Sequence, residues 1–90
     1  MPQTFIKDPE SVLDFQCDWS DWMASGDTIS TSSWAAEAGI TVNTHSNTTA
    51  TATVWLSGGT AGNSYNATNT IVTSQGRTDE RTIVIRVRER

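Results

Sequence analysis

Between Glu37 and Arg77 the chain has no Asp, Glu, Lys or Arg at all. A segment without a carboxylate, amine or guanidinium has almost nothing with which to run acid–base or nucleophilic chemistry. Other scarcities exclude further classes. A single cysteine, Cys17, cannot close a disulfide within the chain, so stabilisation falls to core packing. Histidine also occurs once, as His45, and without a second His or a Cys close by in sequence a metal site would need donors from remote segments. No Gly-x-Ser-x-Gly nucleophile elbow is present. No apolar run approaches the roughly 18 residues of a membrane-crossing helix, and Met1-Pro2-Gln3-Thr4 lacks the basic start and apolar run of a secretory signal. These absences favour a cytoplasmically made scaffold or interaction module over an enzyme.

What remains is a pattern for strands. In Thr49-Ala50-Thr51-Ala52-Thr53-Val54-Trp55-Leu56 the even positions are Ala, Ala, Val and Leu, and the odd positions are Thr three times and then Trp. That is the period-two alternation of a half-buried strand, in which β-branched Thr is comfortable. Residues 12–19 repeat it, with Leu13, Phe15, Cys17 and Trp19 apolar and Asp14, Gln16 and Asp18 polar. A strand over 28–36 needs a bulge or a switch of sheet, because Ile29 and Trp34 have opposite parity. Further strands are expected over 40–44, over 64–73 with Tyr65, Ala67, Asn69 and Ile71 on one side, and over 81–89 with Ile83, Ile85 and Val87 opposite Arg86 and Arg88. Turn clusters at 24–27 and 37–39, a polar loop at 43–48, and the Gly-rich stretch 57–63 separate them. Residues 1–10 read as an extended arm that the rest folds without, leaving 11–90 as the domain. Ninety residues bury a thin core. The fold class is therefore all-β, an antiparallel β-sandwich of six to seven strands with an extended N-terminal arm.

Charge is uneven. Residues 1–37 hold seven acids and one base, whereas 77–90 hold five arginines and three acids, and the whole chain carries −4. Such polarity suits directional docking between protein surfaces, although solvated faces of terminal strands explain it equally. Nucleic acid is not an expected partner, since the chain is acidic and its arginines alternate along one strand; nor is a membrane. The residues expected at a partner interface are Phe5 and Ile6 in the arm, Trp22, Trp55 on the hydroxyl face of its strand, and Arg86 and Arg88. The remaining tryptophans suit a core that needs large side chains, and Cys17 a small buried hydrophobe. Asp14, Asp18, Asp21 and Asp27 match no calcium-loop spacing. No catalytic, metal or cofactor site is expected. A buried Asn69 must find hydrogen-bond partners, for which backbone at a sheet corner is the expectation, and the Tyr65 hydroxyl should do likewise.

Taken in order, Phe5-Ile6-Lys7-Asp8-Pro9, Leu13-Asp14-Phe15, Asp18-Trp19-Ser20-Asp21-Trp22-Met23, Gly26-Asp27-Thr28-Ile29 and Ser33-Trp34 resemble short tailed-phage virion proteins of the fiber-tail adaptor family. The run from Ala52 through Trp55 to Gly62, then Tyr65, Asn69, Gly76-Arg77-Thr78-Asp79 and Arg86-Val87-Arg88-Glu89, extends the resemblance over essentially the whole chain. It implies an immunoglobulin-like sandwich in the virion, in a homo-oligomeric ring that joins tail or neck proteins to tail fibers, with no catalytic residues and no cofactor. The alternatives are a capsid decoration module, or a carbohydrate-binding module using Trp55 and Trp22.

Overall fold

The expected alternations become strands in the computed structural model, which describes residues 3–23 and 25–89, Gln3 by its backbone alone. Residues 1 and 2 of the expected arm and Ala24 of the expected turn lie outside these. Seven strands follow one another: β1 (Gln3–Lys7), β2 (Leu13–Asp18), β3 (Ile29–Ala36), β4 (Ile40–Asn47), β5 (Thr51–Gly58), β6 (Ser64–Thr73) and β7 (Thr78–Val87), with no helix among the described residues. They form two sheets, ordered β1-β7-β6-β3 and β2-β5-β4, packed as a sandwich.

Period-two patterning fixes which side of each strand faces inward. On β5, Ala52, Val54 and Leu56 are fully buried, and β2 sets Phe15 opposite Val54 and Cys17 opposite Ala52. The facing sheet supplies Ala67 and Ile71 from β6, and Ile83, Ile85 and Val87 from β7, with Ala67 paired to Ile83 and Tyr65 to Ile85. A one-residue slip in any pairing would turn these side chains out to water, so burial itself specifies register.

One buried polar contact ties the sheets together. Trp19, immediately after β2 and fully buried, donates its indole N–H to Asn69 Oδ1 on β6 at 2.9 Å. Asn69 Nδ2 in turn donates to the Ser33 carbonyl and the Ser32 hydroxyl on β3, both at 2.9 Å. The amide thus meets backbone, as expected, and also couples β3 to the opposite sheet. Arg81 of β7 closes this end, with its guanidinium 4.2 Å from the centre of the Trp19 ring and a hydrogen bond of 2.7 Å to the Asp18 carbonyl. At the other end the Tyr65 hydroxyl accepts the Thr60 amide at 2.9 Å. The Tyr65 ring lies against two turn glycines. A Cβ on Gly39 would come within 2.8 Å of Tyr65 Cε1, and one on Gly59 within 2.6 Å of Val87 Cγ2 and 3.4 Å of the ring. Both glycines also have positive φ, so close approach and backbone conformation exclude a side chain together.

Three expectations change. The segment taken for an arm is extended, but Gln3–Lys7 runs as β1 alongside β7, and it does so in parallel, so the sheet is not wholly antiparallel. Phe5 packs against Phe15 with ring centroids 5.1 Å apart, and Lys7 is fully buried, its ammonium donating to the Gly58 carbonyl at 2.8 Å and the Asp8 carbonyl at 2.9 Å. Burial lowers the Lys7 pKa from the usual lysine value, against the Asp8 carboxylate, which raises it. Five residues are too few to show a period, and a lysine reads as solvent-facing unless its stem and carbonyl partners are known. Second, β4 runs to Asn47, through the stretch expected as a polar loop. Third, β4 carries a bulge between Val42 and Thr44 besides the expected one in β3, which falls between Ile29 and Thr31.

Because β1 is part of the sandwich, deleting residues 1–9 should lower the melting temperature by about 10 °C or more, given 4–8 °C per kcal/mol for a domain of this size. An unchanged melt by circular dichroism would show that the domain folds without β1. Replacing Asn69 with the similarly sized Leu strands the buried Trp19 N–H and should cost about 1–3 kcal/mol in urea denaturation.

Candidate interaction surfaces

Trp55 stands on the outer face of β2-β5-β4, 40% exposed between the buried Val54 and Leu56. Register places Asp14 of β2 directly opposite it on one side and Thr44 of β4 on the other. Gln16 and Asp18 continue that row of β2, so this face has one large aromatic ring, a carboxylate-bearing margin and a hydroxyl-bearing margin. Neither Lys nor Arg occurs on these three strands.

The other sheet turns a different surface outward. Ile6 of β1, 44% exposed, pairs with Arg86 of β7, which pairs on its far side with Ser64 of β6. Arg86 and Arg88 are both exposed and line a shallow cleft with Gly62, Asn63 and Ser64. The remaining described cations are engaged within the fold: Lys7 is buried, Arg77 pairs with Asp27, and Arg81 lies over Trp19. Beyond these rows the outward face of β6 and β7 pairs Asn66 with Val84, Thr68 with Thr82 and Thr70 with Glu80, and the Thr68 and Thr82 hydroxyls are hydrogen-bonded to each other at 3.0 Å.

Of the six residues expected at an interface, the structure therefore leaves Ile6, Trp55, Arg86 and Arg88 open to solvent. Phe5 and Trp22 are half-buried, Phe5 on Phe15 and Trp22 edge-on to Trp19 at 5.4 Å. The six fall on both faces and do not converge. In the sequence Asp14 is one polar position of its strand, and strand pairing is what brings it beside Trp55.

The other candidates have structural surroundings. Cys17 is buried, and burial raises its pKa despite the nearby Arg81. His45 is exposed on β4. Asp18 accepts the Ser20 amide at 2.9 Å in the turn that ends β2. Asp27 forms a knot that sequence alone did not show, since all its partners but the adjacent Thr28 lie some fifty residues away. Its carboxylate accepts the Thr28 amide and the Ser74 hydroxyl at 2.9 Å, the Gln75 amide at 3.2 Å and the Arg77 guanidinium at 3.2 Å. Trp34, half-buried on β3, keeps its indole N–H shielded from solvent with no hydrogen-bond partner among the described residues. No group of three potential metal-ligating side chains comes together among them.

Comparison with known families finds a match for this sandwich. The family described as podophage GP4 fiber-tail adaptor protein gp77 matches residues 7–86. The chain belongs to this family. The adaptor match takes in Asp14, Trp19, Trp55, Asn69 and Arg86, and stops short of Ile6 and Arg88. As its description indicates, the family is one of phage fiber-tail adaptors. No curated protein matches the chain.

The Asp27 knot generates a pH dependence. Burial raises the carboxyl pKa, but hydrogen bonds from the Thr73 and Ser74 side chains and the Thr28 and Gln75 amides outweigh it, and the net shift is downward. A carboxyl with a lowered folded-state pKa adds stability above the unfolded value, about 3.9, that is lost as pH falls through the folded value. Asp27→Asn should therefore lower the melting temperature at neutral pH and flatten the loss of stability below about pH 4. Parallel acid limbs in the two proteins would show that another group governs that range.

Proposed function

We propose that this chain is a non-enzymatic structural protein of a phage tail, present in several copies arranged as a ring and joining tail or neck proteins to the tail fibers. The observation that carries this reading is the adaptor-family match over residues 7–86. What supports it physically is the division of the molecule into a closed core and two dissimilar outer faces, one centred on Trp55 with acidic neighbours, the other on Ile6 with Arg86 and Arg88. Dissimilar faces let one small domain hold more than one neighbour, another copy included, and repetition around a ring turns modest contacts into a durable joint. Sheet-edge pairing with a partner strand is a further means of attachment that this architecture offers.

The connectivity is read here as immunoglobulin-like. The groups β2-β5-β4 and β3-β6-β7 correspond to strands B-E-D and C-F-G of that fold, with β1 added beside the last strand. Tyr65 near the start of β6, bonded to Thr60 a few residues upstream, matches the tyrosine corner found there.

Mass spectrometry of purified virions should detect the chain, and immunogold labelling should place it at the tail. Virions carrying Trp55→Ala should assemble tails with fewer fibers by electron microscopy. Absence from intact particles, or location on the capsid shell, would contradict the adaptor role.

A further inference from the structure

We propose that copies of this chain associate front to back, the Trp55–Asp14 face of one receiving the Ile6–Arg86 corner of the next. The pairing rests on the multi-copy part of the function proposed above and names the surfaces that make the contact.

Each half is present and unused within one copy. Asp14 and Trp55 are direct cross-strand partners and both exposed, and the one ion pair among the described residues is Arg77–Asp27, so Asp14 has no cation of its own. Arg86 is exposed beside Ile6 and forms no ion pair with a carboxylate of the described residues. Their chemistry is complementary. A guanidinium is attracted to the face of an indole, and a carboxylate next to the ring can take its N–H groups at the same time. Ile6 adds an apolar contact for the ring edge. The molecule already makes an arrangement of this type internally, where Arg81 lies 4.2 Å from the centre of the Trp19 ring and donates to the Asp18 carbonyl.

Charge complementarity within the chain selects a second copy as the occupant. The strands of the acceptor face carry Asp14, as well as Asp18 with Arg81 near its carboxylate, and no Lys or Arg of their own, whereas Arg86 and Arg88 are the exposed cations of the described residues not already held inside the fold. The two lie on opposite outer faces: Trp55 outside the sheet that buries Val54 and Leu56, Arg86 outside the sheet that buries Ile85 and Val87. One copy therefore gives and receives at once without self-blocking. That makes the contact heterologous, the kind that closes into a ring when the rotation per copy allows it.

Sedimentation velocity on the purified full chain tests this. The wild type should self-associate with rising concentration, less so at raised ionic strength. Asp14→Arg, Arg86→Asp and Trp55→Ala each alter an exposed side chain and should each weaken association by about tenfold or more. The mixture of Asp14→Arg with Arg86→Asp should regain it, because the Arg86 of one meets the Asp14 of the other. A wild type that stays monomeric throughout, variants that associate as the wild type does, or a mixture no better than its components would overturn the pairing. So would an oligosaccharide that quenches Trp55 in a chain that remains monomeric, which would assign that face to sugar. Variants that associate unchanged while the chain is found in virion tails would sink this contact and leave the adaptor role standing.

Discussion

The indole N–H of Trp19 and the amide of Asn69 meet where no water is available to either, and the assembly of the two sheets depends on that meeting. A buried amide left unbonded costs about 1–3 kcal/mol per group, a large share of the stability of a domain this small. Asn69 avoids the cost by accepting from one sheet and donating to the other, so its hydrogen bonds are complete only when the layers are correctly stacked. Apolar packing alone would tolerate some sliding of one layer over the other. The Trp19–Asn69–Ser32 chain does not, because each bond has a direction. Lys7 acts similarly at the far end, reaching from β1 to the Gly58 carbonyl at the end of β5.

With its polar ties inside, the sandwich can present outer faces nearly free of charge. The uncharged span from Ala38 to Gly76 supplies β4, β5 and β6, whose hydroxyls bond to each other or to water and leave the surface open to a partner. Against that neutral background a few residues stand out: Trp55 with Asp14 on one side, and Ile6 with Arg86 and Arg88 on the other. Few charges are needed to set direction when so little else competes. A domain repeated in an assembly must hold its neighbours without distorting, and a closed core with two chemically opposite faces suits that requirement.

Much of this was legible in the sequence, and what was not has a common cause. The alternation in 49–56 gave both the inward set of β5 and the outward position of Trp55, and the parity conflict between Ile29 and Trp34 called for a bulge or a switch of sheet, of which the structure has the bulge. Periodicity works where one face is apolar. It failed for β4 beyond Thr44, where His45, Ser46 and Asn47 are all exposed and the stretch reads as a loop. It failed for β1, whose place depends on a parallel partner eighty residues away and on a lysine that is buried. Asn69 was identifiable as a buried amide in need of partners, yet nothing local named Trp19 as one of them. The pairing of Asp14 with Trp55 and the Asp27 knot are likewise products of strand register and loop docking.

The central claim is that the Trp19 indole is sealed between the sheets by its bond to Asn69. Hydrogen exchange of the four indole N–H groups, followed by NMR in the native protein, tests it directly. The Trp19 proton should exchange only through global unfolding, orders of magnitude more slowly than that of the exposed Trp55. Exchange of the Trp19 proton as fast as that of Trp55 would mean that the sheets part without unfolding, and the account would be wrong.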